Sequence, residues 1–290
     1  MFPSRDFRRT VKLAVAALSI FAGASLAAVG QTHTANDSQP YLIKSLEARD
    51  ELNKGVQAYK SAHYDEAIAR FQKATELDPG LPLAKKYLAT ALAQTVIPGL
   101  DTPENMKTAQ RAIDTFQQVL AEDSQDVNSM KQVAGIFFAI KNLDDAKLWE
   151  KKALDVNPKD TEAAYTIGVI DWQEAFQSVL KALVPAGFQD DGEGNIKAPA
   201  QVLEAIKAQN AALVEEALEY LHRALENRPN YDDAMAYLNL VYRRKADVDW
   251  RNEVARTDDL VQAENWRTKA FETRKANEEK RNAAPISVPQ

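Results

Sequence analysis

The sequence predicts an all-α chain built from repeated helix pairs, and three observations carry that prediction. Its composition favours helix: 45% of 290 residues are hydrophobic, with only 10 Gly and 12 Pro, and straight-chain residues that lose little rotamer freedom in a helix are plentiful. Val and Ile fall at helical spacing rather than in alternating runs bounded by turns, which argues against a sheet. A phrase also recurs along the chain: DEAIARFQKATELDP, DDAKLWEKKALDVNP and EEALEYLHRALENRP.

The recurrences are in phase. Twelve residues before Pro79, Pro158 and Pro229 stand Ala67, Ala146 and Ala217; five before them stand Ala74, Ala153 and Ala224. Ten residues after each proline comes a small or polar residue, Ala89, Gly168 or Asn239. A further copy has Ser124 in the proline's place, with Ala112, Phe116 and Val119 before it and Ala134 after. The physical content is a joint between helices. Small residues allow close approach, large ones fill the remaining gap, and a proline cannot continue the helix it follows.

Residues Gly55, Tyr59, Tyr64, Ala67, Phe71, Ala74 and Pro79 resemble one unit of the tetratricopeptide repeat (TPR) family. Val133, Ala134, Phe137, Ala146, Ala153 and Pro158 resemble another, as do Ile167, Gly168, Ala217, Leu221, Ala224 and Pro229. The closing phrase DDAMAYLNLVYRRKADVDW is similar to one found in uncharacterised exported bacterial TPR proteins. The resemblance implies a helix-turn-helix solenoid of about five helix pairs (A and B) over residues 46–280. Copies one and three keep twelve residues between the small residue of A and the first Ala of B. Copy two has 23, copy four 49, and copy five about 24 if Ala263 is the matching residue. The extra residues are expected in the A–B turns. In copy four, Val179, Leu180, Leu183, Val202, Leu203 and Ile206 recur at helical spacing around a turn-rich stretch. They predict a helical-hairpin insertion, about 179–206, projecting about 20 Å at 1.5 Å per residue. It is expected to be separable from the repeat core and to leave an apolar edge for a partner.

The ends differ from the middle. Arg5, Arg8, Arg9 and Lys12 precede an apolar stretch from Leu13 to about Val29, closed by small residues. That is the pattern of a signal peptide over residues 1–30, cleaved after Ala27 or Gly30; an uncleaved membrane anchor is the alternative, since the stretch is only a little short of a bilayer span. The Arg8-Arg9 pair leaves open whether export is of Sec or twin-arginine type. A leader at 31–45 and a disordered tail at 281–290 complete the expected organisation. The expected location is exported, periplasmic or secreted. Without residues 1–30, 32 basic side chains face 41 acidic ones, a net charge of −9. This balance argues against nucleic acid or an anionic membrane surface as partner. Cysteine is absent, which excludes disulfides, a lipidated cysteine anchor and thiolate chemistry.

Catalytic signals are weak. No nucleophile elbow, phosphate loop or dinucleotide fingerprint occurs. Of three histidines, His33 falls in the leader, His63 in a short A–B turn, and His222 in a Glu-x-x-His with Glu219. Di-iron bundles need two such motifs and further glutamates, and both side chains are expected to face solvent. The acidic stretch from Asp190 to Asn195 brings carboxylates to calcium-loop positions three and five, but Gln189 and Ala200 stand at one and twelve. It reads as a solvated turn.

The function implied is therefore a non-enzymatic scaffold that binds a protein or peptide, without cofactor or metal. A helical metal-binding protein or enzyme using the hairpin with Glu219 and His222 is the alternative. Self-association through Trp250 and Trp266 is a third reading. In the family, the second, fifth, ninth, twelfth and thirteenth positions of helix A line a groove. Carried over, these places hold Tyr59, Lys86, Asn128, Lys131, Phe138, Tyr165, Trp172, Arg243 and Arg244. A clamp for chain termini needs Lys and Asn in the first copy, where Leu52 and Val56 stand, so an apolar or mixed peptide is the expected ligand.

Overall fold

The computed structural model describes residues 38–81 and 83–283, with side chains from residue 41. Residues 1–30, expected to be a signal peptide, together with His33 and the last seven residues of the expected tail, lie outside them. Among the described residues ten α-helices follow in order: α1 (Ser38–Lys60), α2 (Tyr64–Leu77), α3 (Ala84–Thr95), α4 (Pro103–Glu122), α5 (Val127–Ala139), α6 (Leu143–Val156), α7 (Thr161–Leu183), α8 (Ala200–Asn227), α9 (Asp232–Val248) and α10 (Glu253–Ala283). A 3-10 turn, Val184–Ala186, follows α7. Strands are absent among the described residues. Helix α1 begins at Ser38, inside the expected leader, and α10 reaches Ala283, past the expected start of the tail.

The helices form pairs whose partners follow the repeat. Two compact units divide at Trp149 and Glu150, within α6. In the first, α1 packs on α2, α2 on α3, α3 on α4 and α4 on α5; in the second, α7 packs on α8, α8 on α9 and α9 on α10. Helices α2, α6 and α8 all end two residues before a proline, at Leu77, Val156 and Asn227. These three ends and that of α4 are capped alike. The N–H of Asp78, Asp123, Asn157 and Arg228 donates to the carbonyl of Ala74, Val119, Ala153 and Ala224, at 2.8–3.0 Å. Side-chain oxygens of Thr102, Asp126 and Asp160 accept from the first-turn amides of α4, α5 and α7, satisfying donors the helix cannot.

The predicted joint is present in both units. A Cβ on Gly55 would stand 2.5 Å from Phe71 Cε1, and one on Gly168 2.5 Å from Leu221 Cγ. Ala67, Ala74, Ala112, Ala146, Ala153, Ala217, Ala224 and Ala263 are fully buried. The short turns of copies one and three are also alike. Ala62 and Lys141 take φ of 59° and 63°, and the next N–H reaches back to Ala58 or Phe137 at 2.9 Å.

The extra residues become helix more than turn. In copy four α7 and α8 lengthen to 23 and 28 residues, and in copy five α9 and α10 to 17 and 31. Longer helices satisfy their own backbone and carry an apolar stripe to bury, whereas a long loop does neither. Copy two does carry a loop, folded around Asn105. That side chain accepts from Ile97 N at 2.8 Å and donates to Ile97 O and Leu100 O at 3.0 and 2.7 Å.

The hairpin departs from expectation in one respect. Helices α7 and α8 pair through Asn210 Nδ2, which donates to Ala175 O at 2.9 Å, and Ser178 Oγ, which donates to Gln209 Oε1 at 2.6 Å. Val179, Leu183, Leu203 and Ile206 are buried together with Ala198 of the loop, while Phe188 and Trp250 pack against them. The expected apolar edge is therefore covered within the unit. The loop also returns onto α9: a Cβ on Gly194 would stand 3.1 Å from Ala246 O. A stripe at the end of two arms gains more by burial under its own chain than by exposure to water.

Candidate functional site

In the first unit, the helix-A residues are α1, α3 and α5. Tyr59 is half-buried, its ring edge-on to Tyr64 at 5.4 Å between centroids, and burial raises its hydroxyl pKa. Lys86 donates to Asp126 Oδ2 at 2.6 Å, crossing from α3 to the cap of α5. Asp126 also accepts from Ser129 N and Oγ, at 3.3 and 2.7 Å. Burial would raise this carboxyl, but the Lys86 and Ser129 hydrogen bonds outweigh it and hold the pKa below the usual range. Asn128 is exposed, and Lys131 and Phe138 are half-buried. At the turn after α1, Ala62, His63, Tyr64, Asp65, Glu66 and Thr95 line an open recess of about 360 Å³.

The second unit concentrates aromatic side chains on α7 and α9. Trp172 stacks on Phe176, centroids 5.5 Å apart and planes 9° apart, and meets Tyr237 edge-on at 5.3 Å. Trp172 and Phe176 are half-buried, leaving part of each ring open to solvent. Burial, with Asp233 nearby, pushes the Tyr237 hydroxyl up to about 12. Helical spacing of four residues brings Trp172 and Phe176 onto one face.

Two of the expected groove residues are interior. Tyr165 is 4% exposed, packed on Tyr231 at 4.9 Å and Tyr237 at 5.6 Å. Beneath it, Tyr231 donates to Glu162 Oε2 at 2.7 Å while the Arg228 guanidinium lies 3.5 Å above the Tyr231 ring. Arg244 is 3% exposed and pairs with Asp190 at 2.9 Å and Asp247 at 3.1 Å. Arg243 is half-buried, donating to Asn239 Oδ1 and Gly192 O at 3.2 Å. The family positions assume that nothing covers the end of helix A; here the copy-four loop lies on it. Arg244 is therefore a loop anchor and Tyr165 a packing residue.

Position counting missed Phe176 and Tyr237 of the aromatic face, and Asp190, Asn195 and Asp247 of the loop contact. Tyr237 is the sixth residue of its helix A, outside the counted positions. Asp247 lies beyond the usual end of that helix, on a stretch that the spacing of copy five placed in a turn.

The acidic loop is a docked turn rather than a solvated one. Asp191 Oδ1 accepts from Glu193 N at 2.8 Å and Asn195 N at 2.9 Å, and Asp190 Oδ1 accepts from Gly192 N at 3.1 Å. Asn195 itself is buried. His222 is half-buried edge-on to Trp266 at 5.6 Å, rather than facing solvent, and burial lowers its pKa. Trp250 and Trp266 thus both have intramolecular packing. Among the described residues no group of three or more His, Asp or Glu is gathered to hold a metal ion, and no helix is long and apolar enough to cross a membrane.

The repeating joints and caps define the class of fold: the chain is all-α, with a helix-turn-helix repeat architecture of the tetratricopeptide type. Among solved structures it is similar to MamA, at a TM-score of 0.51 and 15% identity over 84% of this chain and 98% of that one. MamA from Desulfovibrio magneticus RS-1, residue 41 to the end, gives 0.52 at 15% identity over 79% and 96%. A looser likeness, 0.49 at 16% identity over 83% and 98%, is to YrrB, described as a TPR protein with an unusual peptide-binding site. At 15% identity the MamA likeness speaks for the fold alone. No family model matches the sequence, and no curated protein does.

Proposed function

We propose that this protein is an exported bacterial scaffold that binds a protein or peptide partner without catalysing a reaction. The observation carrying this reading is the half-open aromatic face of α7 and α9, where Trp172 stacks on Phe176 and meets Tyr237 edge-on, with the Arg244 guanidinium 5.7 Å from the centre of the Phe176 ring. Large rigid rings with a cationic neighbour contribute much contact area at low entropic cost, which is the composition of interface anchors. Export rests on the basic and apolar pattern of residues 1–30.

Immobilised protein lacking residues 1–30, incubated with envelope extract, tests the binding reading. Trp172→Ala combined with Tyr237→Ala should weaken retention of its partner by about 1–3 kcal/mol, with helix content unchanged. Equal retention by the folded double mutant would remove this face from the site. N-terminal sequencing of exported protein should start at Ala28 or Gln31; a start at Met1 would refute cleavage.

Self-association is a second reading, favoured by the exposure of Val254, Val261 and Phe271 along α10. Sedimentation velocity of Phe271→Glu against the parent protein decides it. A concentration-dependent dimer lost on substitution supports it, and a monomer at all concentrations ends it.

A further inference from the structure

The loop between α7 and α8 is held down by polar contacts gathered around one cation. Arg244 Nη2 donates to Asp190 Oδ1 at 2.9 Å, and Nη1 faces Asp247 Oδ2 at 3.1 Å. Asn195 Nδ2 bridges the same two carboxylates, at 3.0 Å to Asp190 Oδ1 and 2.8 Å to Asp247 Oδ1. Two further arginines hold the loop backbone: Arg243 Nη1 donates to Gly192 O at 3.2 Å and Arg256 Nη1 to Glu193 O at 3.3 Å. Underneath, Phe188 and Ala198 of the loop close over Val179, Leu183, Leu203 and Ile206.

The charge count inside this contact does not balance. One buried guanidinium faces two carboxylates, of which Asp247 is fully buried and Asp190 half-buried. The unbalanced oxygen is identifiable: Asp247 Oδ2 is buried and, although close to Arg244 Nη1, is not aligned with it for a hydrogen bond. A carboxylate in that position is stabilised by taking up a proton. The other charged groups around it leave this sign unchanged. From the loop come Asp191 and the exposed Glu193; from α9, Arg243, Lys245 and Asp249; from α10, Arg256 and Asp259. Lys245 is engaged by Asp249 and Asp259, at 2.6 and 3.2 Å, and Arg243 and Arg256 by loop carbonyls.

We propose that residues 187–199 form a pH-sensitive strap, fastened over the apolar end of the α7–α8 hairpin at mildly acidic pH and loosened above neutrality, with Asp190, Arg244 and Asp247 as its latch. Burial, reinforced by Asp190 and Asp191 against the opposing Arg244, raises the Asp247 carboxyl to about 7. Its ordinary value is 3.8. A raised carboxyl favours the closed state most at low pH, and that contribution is lost as pH rises through about 7. Asp190 acts oppositely. Burial would raise it, but Arg244 and its hydrogen bonds hold it low, so its contribution is lost only in strong acid. The strap is therefore tightest in mild acid. This holds whatever partner the protein binds.

The test is amide exchange in the protein lacking residues 1–30, at pH 6.0 and 8.5 and corrected for intrinsic exchange. The amides of Asp191, Asn195 and Ala198, bonded within the strap, report opening. Their protection should fall about tenfold between the two conditions, from the difference between about 7 closed and 3.8 open. Amides of α2 to α4 should not follow. Asp247→Asn, which mimics the protonated side chain, should remove the tenfold dependence while keeping the strap protected at pH 8.5. Carboxyl-carbon NMR of the unsubstituted protein gives an independent reading, with an Asp247 midpoint near 7. Equal strap protection at both pH values, an Asp247→Asn protein that keeps the dependence, or an Asp247 midpoint near 4 would each overturn the proposal. Should Asp247→Asn fail to fold, the exchange and carboxyl measurements on the unsubstituted protein still decide.

Discussion

Helices α1 and α2 are closed by three residues, Ser61 to His63, while sixteen residues separate α7 from α8. Both pairs nonetheless use one joint, a glycine on helix A into which Phe71 or Leu221 of helix B is pressed. The difference lies at the other end of the pair. In α1–α2 a single residue at positive φ turns the chain, and nothing further is needed. In α7–α8 the longer arms bring their own apolar cluster, and the connecting loop brings its own polar partners. The repeat signature thus governs the joint, while the turn end elaborates by bringing polar partners for most of what it buries, Asp247 Oδ2 being the exception.

The most damaging way to test the shared joint is to empty it. Phe71→Ala should destabilise by about 3–5 kcal/mol and Leu221→Ala by about 2–5 kcal/mol, read from urea unfolding followed by helix signal. Comparable losses would confirm that the two pairs depend equally on it. A Leu221→Ala loss under 1 kcal/mol would mean that the elaborated hairpin holds its pair without the joint. Next in size is Arg244→Met, which leaves the buried Asp247 and the half-buried Asp190 without their cation and should cost about 3–5 kcal/mol at pH 8. Because Asp247 has a raised pKa, it takes up a proton as pH falls through about 7, so the loss should shrink by pH 5.5. An equal loss at both pH values would show that Asp247 stays charged.

Overfilling is milder than emptying. Gly55→Ala and Gly168→Ala should each cost about 1–3 kcal/mol, since the new Cβ meets a packed side chain. Gly168→Ala should be the costlier, because its Cβ also lies 3.2 Å from the carbonyl of Ala217, and backbone yields less than a ring. The smallest effect concerns the turn alone. Ala62→Gly should stabilise by up to about 1 kcal/mol, because a residue at φ 59° without a Cβ escapes the left-handed penalty. No gain in Tm would indicate that the turn's strain is already relieved by its neighbours.

Much of the candidate site was not legible in the sequence. Trp172 could be placed on helix A from its spacing, and its ring does lie on a half-open face. Tyr165 occupies an equally regular position, yet Tyr231 and Tyr237 close over it. Arg244 looked like a groove cation because nothing in local spacing reveals that a loop more than fifty residues earlier returns to meet it. The acidic run from Asp190 to Asn195 was read as solvated for the same reason: a solvated turn and a docked one use the same residue types.

The sequence by itself determined the helices, their phase and the joint between them. Those depend on residues within one repeat, where 3.6-residue periodicity, a small residue facing a large one, and a stop before proline act over short range. Only the tertiary structure decided what covers the hairpin and where the arginines go. That outcome rests on contacts between side chains fifty or more residues apart, Asn195 with Asp247 and Asp190 with Arg244. Burying a charge is tolerated only where all of its partners converge, and convergence is a property of packing rather than of spacing.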